Sequence, residues 1–218
     1  MEWINKFQTS SPQMISANDK LIKLWKIENK KEKKYESCRK LLTRGKLVMP
    51  RSKIVNEGFE SKVRSLFRNG HEYHINSICL SPDGEHFLSA DDLRVNLWNI
   101  EDNTTVYNLL DMKPKKIEEL EEVITHCEFH PSQPSLFVYT TSKGFLHICD
   151  IRESSSFQNK SSIKFELGAG QKKNVFSDLI NSLSYGKFIP DQPNNVVTRD
   201  YLSLKIWDIR ATNNTHIS

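Results

Sequence analysis

The residues able to do chemistry are few and poorly arranged for catalysis. His126 and His130 stand four apart, the spacing of a helical zinc pair, but they flank the strand-like run ITHCEFHP and lack the H-E-x-x-H order. Asp91 and Asp92 are adjacent, and adjacent residues on a strand point to opposite faces, so a shared acid–base role is not expected. Cys38, Cys79, Cys127 and Cys149 are far apart, with no C-x-x-C pair. That predicts reduced thiols rather than a zinc site or a disulfide framework. No Gly-rich phosphate loop, G-x-S-x-G elbow or Cys–His arrangement occurs. The expectation is a protein that is not an enzyme and has no cofactor and no metal.

What the chain offers instead is surface chemistry. Asp111–Val123 reads DMKPKKIEELEEV. Ile117, Leu120, Val123 and Ile124 fall on one helical face, and Pro114 precedes them, where proline is tolerated. The spacing predicts a short acidic helix over 111–123. Its apolar stripe can be core or a docking socket. Its acids, Glu118, Glu119, Glu121 and Glu122, can be a solvated face or a recognition surface.

The 218 residues carry a net charge of +4, and that charge is unevenly spread. Glu28–Arg68 has 13 basic and 5 acidic residues, while the rest has 18 basic and 22 acidic. The basic insert reads as a solvated loop or hairpin. Nucleic-acid binding needs aromatic stacking partners, and Tyr35 and Phe59 are the only aromatics of the insert before Phe67. No apolar run approaches the ~20 residues of a membrane span, and MEWINKFQTSSPQ has no apolar signal segment. A cytosolic protein is expected, with the nucleus as a second compartment, and with neither nucleic acid nor membrane as partner.

The elements that position these residues repeat. Four stretches run from a Ser/Thr start through a turn into alternating apolar residues: SANDKLIKLWKI (16–27), SADDLRVNLWNI (89–100), TTSKGFLHICDI (140–151) and TRDYLSLKIWDI (198–209). The Trp position is held by Trp25, Trp98, Cys149 and Trp207, at separations of 73, 51 and 58 residues. A propeller blade takes ~40–45 residues, so each interval fits one blade plus an insertion. Upstream of each copy lies a strand–turn–strand pattern; in INSICLSPDGEHFLSA, Pro82 presets φ and Gly84 accepts φ > 0. Inserts separate the copies at 28–68, at 111–123 and at 153–180, the last carrying a second short helix candidate, VFSDLINSLSY.

Gly70-His71, Trp98-Asn99 and Trp207-Asp208 resemble WD-repeat signatures. In that family a His, an Asp of the tight turn and the Trp form a bracing network, which implies blade-bracing roles for His71, Trp25, Trp98 and Trp207. HEYHINSI, FLSADDLRVNLWNIE, KPKKIEELEEVITHCEFHP, SKGFLHICDIR and VTRDYLSLKIWDIR go further. In one order, from Trp3 to about Arg210, they resemble the 55 kDa regulatory B subunits of protein phosphatase 2A. The resemblance implies an all-β WD-repeat β-propeller of about four blades, truncated relative to the family's seven. It implies a non-catalytic subunit that joins a phosphatase scaffold subunit and catalytic subunit and recruits phosphoprotein substrates with basic or helical motifs. The basic insert stands where that family has a hairpin arm reaching the scaffold.

The positions that match the family's substrate contacts are Tyr73, His74, Asp92, Ile117, Leu120 and Val123, with Glu118, Glu119, Glu121 and Glu122 as an acidic surround. Asp92 would pair with a substrate Lys or Arg, or would instead brace its turn, with Asp91 and Asp92 dividing the two jobs. Leu120 and Val123 would hold the apolar face of an incoming helix. Two alternatives stand beside this reading. Trp207-Asp208-Ile209-Arg210 resembles the W-D-x-R motif of substrate receptors of cullin-type ubiquitin ligases, echoed at Asp150-Ile151-Arg152. The other is a non-functional truncated scaffold.

Overall fold

The computed structural model describes residues 1–4, 11–35, 42–43, 46–47, 52–114, 116–152, 163–166, 180–210 and 216–217. Nearly all regular structure among them is β-strand. Alternating apolar and polar residues make half-buried strands, and tight turns fold them into four antiparallel meanders. The first sheet joins β1 (Glu2–Ile4), β2 (Gln13–Asn18), β3 (Leu21–Tyr35) and β6 (Ser52–Phe67). The second joins β7 (Ser77–Leu80), β8 (His86–Ala90), β9 (Arg94–Asn99) and β10 (Val106–Asp111). The third joins β11 (Ile124–Phe129), β12 (Leu136–Thr141), β13 (Phe145–Asp150) and β14 (Ile163–Glu166). The fourth joins β15 (Tyr185–Ile189), β16 (Gln192–Arg199), β17 (Leu204–Asp208) and β18 (His216–Ile217). A small ladder of β4 (Leu42–Thr43) and β5 (Lys46–Leu47) lies within the β3–β6 connection.

Each neighbouring pair of sheets encloses an apolar core. Ile15, Ile22, Leu24 and Phe67 meet Phe87, Trp98 and Ile100 between the first two. Leu88, Ala90 and Val95 meet Cys127, Phe129, Phe137 and Tyr139 between the second and third. Val138, Leu146, Ile148 and Phe165 meet Leu183, Phe188, Val196 and Trp207 between the third and fourth. Sheets stacked face to face in sequence order make a partial β-propeller. Turn chemistry follows the residues: Gly84 has φ 68° and Gly144 φ 86°, both in strand-to-strand turns.

The basic insert is a hairpin. β3 and β6 pair from Ile22–Phe67 out to Tyr35–Ser52. Beyond the core its residues are exposed, and cross-strand ion pairs such as Lys30–Glu60 and Lys31–Glu57 line it.

Two expectations need correction. The helix over 111–123 is absent among the described residues: β10 continues to Asp111, and a 3₁₀ turn forms at Ile117–Glu119. Lysines at the N-terminal end of this segment and glutamates toward its C-terminal end oppose a helix dipole, and the glutamates repel one another. Both ends are also pinned in extended form. Met112 N–H donates to Leu93 O (2.8 Å), and Val123 exchanges hydrogen bonds with Ser142. Ile124, counted on the helical stripe, is the first residue of β11 and fully buried. Second, the third repeat is one residue longer in its hairpin. Tyr139 pairs with His147, where the other sheets pair Ser16–Lys23, Ser89–Asn96 and Thr198–Lys205. Of the helix candidate VFSDLINSLSY, 175–179 lie outside the described residues, Ile180 and Asn181 are helical, and the last residue, Tyr185, opens β15.

Candidate functional site

The second sheet contains a buried polar chain. Trp98 Nε1–H donates to Ser89 Oγ (2.8 Å), and Ser89 Oγ lies 2.6 Å from His71 Nε2. His71 Nδ1 lies 2.8 Å from Asp91 Oδ2, and Asp91 Oδ1 accepts the backbone N–H of Leu93 and of Arg94. One proton arrangement satisfies all four: His71 donates from Nδ1 to Asp91 and accepts from the Ser89 hydroxyl at Nε2. Burial alone would raise the Asp91 carboxyl. The hydrogen bonds from His71, Leu93 and Arg94 outweigh it and hold Asp91 below the usual carboxylate range. The first and fourth sheets repeat the Trp end: Trp25 donates to Ser16 Oγ (2.8 Å) and Trp207 to Thr198 Oγ1 (2.7 Å). In the fourth, Asp200 takes Lys205 Nζ (2.9 Å) and the Ser203 hydroxyl, not a histidine. In the third, a stacked Tyr139–His147 pair, 4.6 Å between centroids, occupies the place of the Ser/Thr pair.

The residues singled out for docking share one rim of the arc. This rim is built from the turns between the second and third strands of each sheet and from the segments leading into the next sheet. His74 Nδ1 lies 2.7 Å from Asp19 Oδ1, and Ile75 N–H donates to Asp19 O across the first joint. Asn76 Nδ2 donates to Asp92 Oδ1 (2.8 Å), and Ile124 N–H donates to Asp92 O (2.8 Å) across the second. Val123 is thus directly beside Asp92, and Leu120, 37% exposed, stands three residues upstream. Asp91 braces the turn while Asp92 stays half-buried at the rim. Tyr73 is half-buried and His74 exposed. Ile117 opens the 3₁₀ turn. Glu118, Glu119 and Glu121 are exposed, with Glu121 tied to Lys143 (2.6 Å). Glu122 is half-buried and turns one carboxylate oxygen inward, with no hydrogen-bond partner among the described residues.

Comparison with known proteins gives this geometry its context. The WD domain, G-beta repeat model matches residues 61–99, the stretch that holds the His71–Asp91–Ser89–Trp98 chain. The serine/threonine-protein phosphatase 2A regulatory subunit sur-6 of Caenorhabditis elegans is 39% identical across 96% of the chain. The beta isoform of the 55 kDa regulatory B subunit of serine/threonine-protein phosphatase 2A from Carassius auratus is likewise 39% identical across 96%. The chain is homologous to phosphatase 2A regulatory B subunits. It spans about half the length of these relatives, 44% of the first and 48% of the second. Both relatives are named as regulatory, not catalytic, subunits.

Several rim residues of this B-subunit homologue escape a reading by motif. Asp19 positions His74, Asn76 positions Asp92, and Lys143 holds Glu121. Asp19 was within reach, because SANDK aligns with SADDL and puts an acid in the same turn. Asn76 and Lys143 have no local signal. A further cluster fixes the root of the acidic segment: Glu72 pairs with Arg94 (3.0 Å) and Lys113 (2.6 Å), and Arg94 with Asp111 (3.0 Å). Hydrogen bonds from Lys113 and the charge of Arg94 hold Glu72 below its ordinary pKa. His126 and His130 do not face one another as ligands. His126 packs on Tyr185 (4.0 Å between centroids), and His130 Nδ1 accepts the Ser132 and Gln133 amides.

Proposed function

We propose that this chain is a non-catalytic, substrate-targeting subunit of a type 2A serine/threonine phosphatase. The observation that carries the reading is the 39% identity to phosphatase 2A regulatory subunits across 96% of the chain. The exposed β3–β6 hairpin is the element suited to reach the scaffold subunit, and the catalytic subunit is then held on that scaffold. The rim of Tyr73, His74, Asp92, Leu120 and Val123 receives phosphoprotein substrates through basic or helical motifs. Asp92, together with the exposed Glu118 and Glu119 of the segment between β10 and β11, supplies charge for a Lys or Arg, and Leu120 an apolar contact. The compartment is the cytosol, with access to the nucleus.

The test is capture of the tagged chain from lysate with quantitative mass spectrometry. Scaffold and catalytic subunits are the expected co-purifying proteins. Recovery of neither overturns the reading. Asp92→Lys places like charge against a basic motif and is expected to lower substrate recovery by about tenfold or more while leaving the scaffold signal intact. Unchanged substrate recovery removes Asp92 from the site.

A further inference from the structure

Asn69-Gly70 is the single Asn-Gly pair of the sequence. It lies in the connection between β6 and β7, directly before His71, the histidine of the buried polar chain. Position 70 has to be glycine. A Cβ built there would sit 2.3 Å from Trp98 Cζ2 and 2.8 Å from Trp98 Cη2. That is well inside the ~3.5–4.0 Å of packed carbon atoms. Asn96 Nδ2 also donates to Gly70 O (2.6 Å), which fixes this residue from its carbonyl side. The packing of Trp98 therefore leaves Asn69 followed by a residue with no side chain to screen its backbone nitrogen.

Asn69 is exposed, has φ 64°, and its side-chain amide has no hydrogen-bond partner among the described residues. Asparagine is one of the few residues that adopt this left-handed conformation. The Gly70 N–H has no acceptor among the described residues either. The Asp83-Gly84 turn, the one Asp-Gly pair of the sequence, is built the opposite way. There Gly84 N–H donates to Ser81 O (2.9 Å), and Asp83 Oδ1 accepts the Glu85 amide (2.7 Å) and the His86 amide (3.3 Å). The side-chain carbonyl carbon and the backbone nitrogen that could attack it are both held at 83–84 and both free at 69–70.

We propose that Asn69 is a site of spontaneous deamidation in the folded chain, and that the reaction slackens the His71 brace. The Gly70 amide nitrogen gives its proton to a solvent base and attacks Asn69 Cγ. The N–Cγ bond forms, the Cγ–Nδ2 bond breaks, and ammonia leaves with a proton returned from solvent. Water then opens the succinimide ring at either carbonyl. Opening at Cγ gives aspartate. Opening at the Asn69 backbone carbonyl gives isoaspartate, whose main chain runs through Cγ. Water is the only co-reactant, and nothing is oxidised or reduced. Isoaspartate lengthens the backbone by a methylene. Phe67 and His71 on either side are buried, so Arg68, Asn69 and Gly70 must absorb it, and Gly70 is already wedged against Trp98. The displacement reaches His71 and loosens its contacts with Asp91 and Ser89.

The test is ageing of the purified chain at mildly alkaline pH, with peptide mapping by mass spectrometry and labelling by an isoaspartyl methyltransferase at intervals. Exchange of the amide NH₂ for OH is expected at Asn69 ahead of every other asparagine, faster as pH rises, with isoaspartate as the main product and Asp83 unchanged. The native rate is expected to lie within about tenfold of the rate in urea, because the fold holds neither reacting group. The urea midpoint of the aged chain is expected to fall in step with its isoaspartate content. Asn69→Gly accommodates φ 64° and lacks the amide, so its midpoint stays constant over the same ageing. A native rate more than about tenfold below the rate in urea overturns the proposal, as does another asparagine reacting first. Deamidation with an unchanged midpoint overturns the coupling to His71, and so does an equal fall in the Asn69→Gly variant.

Discussion

Ser89 is the residue on which the second sheet's polar chain turns. Its hydroxyl serves Trp98 on one side and His71 on the other, with no exposure to water. Ser89→Ala leaves two buried groups short of a partner. It is expected to lower unfolding free energy by about 1–3 kcal/mol, read from urea denaturation. His126 and Glu128, two residues apart on β11, carry opposite pH signatures. Burial pushes His126 down to about 4 from 6.5, so its neutral form is stabilising above 6.5 and that contribution fades as pH falls toward 4. Burial pushes Glu128 up to about 7 from 4.5, although its Oε2 accepts the Phe188 amide and Lys187 lies 4.0 Å away. Its contribution is full below 4.5 and lost as pH rises to about 7. The two effects offset between 4.5 and 6.5. Glu128→Gln keeps an acceptor for Phe188 and removes the second effect. Its urea midpoint is expected to rise with pH up to about 6.5 and to exceed the parent's above about 7.

At the scale of elements, turns and the arm behave differently. Gly144 has φ 86°, and a Cβ there would sit 2.7 Å from Asn181 O. Gly144→Ala therefore combines backbone strain with a clash and is expected to cost about 1 kcal/mol or more, measured as a lowered thermal midpoint. The β3–β6 arm buries little, and an isolated two-stranded ribbon adds little stability. Replacing residues 30–58 by an Asn-Gly turn is expected to leave the urea midpoint nearly unchanged while abolishing scaffold recovery in the capture assay. A large drop in the midpoint would place the arm in the folding unit instead. On the acidic segment, Leu120→Arg tests the rim without disturbing the core. Reduced substrate recovery at unchanged stability is the expected outcome.

For the whole molecule, the stacking of sheets predicts how its four tryptophans meet water. Trp98 and Trp207 are sealed inside joints, while Trp3 is 55% exposed and Trp25 is partly covered by its bond to Ser16. Acrylamide quenching at low concentration is expected to resolve an accessible fraction from Trp3 and Trp25 and a protected one from Trp98 and Trp207. A single fully protected population would show Trp3 and Trp25 shielded from water.

The amino-acid sequence determined what depends on near neighbours. Period-two alternation marks the strands, Gly84 marks its turn, and the recurrence of Trp25, Trp98 and Trp207 marks one sheet after another. The Ser or Thr nine residues before each Trp is equally legible, because that spacing puts the two side chains across one tight hairpin. Tertiary structure decided the rest. The 111–123 stretch has a helical apolar spacing, yet Glu72, Leu93 and Ser142, distant in sequence, hold its ends extended. Asp91 and Asp92 are the same residue type in adjacent positions. Only the approach of His71 to one and of Asn76 to the other separates bracing from rim. The one-residue slip that puts Tyr139 opposite His147 comes from cross-strand pairing, which sequence spacing alone does not contain. Which face of each sheet is covered, and by which neighbour, follows from stacking across the arc, where the contacts join residues tens of positions apart.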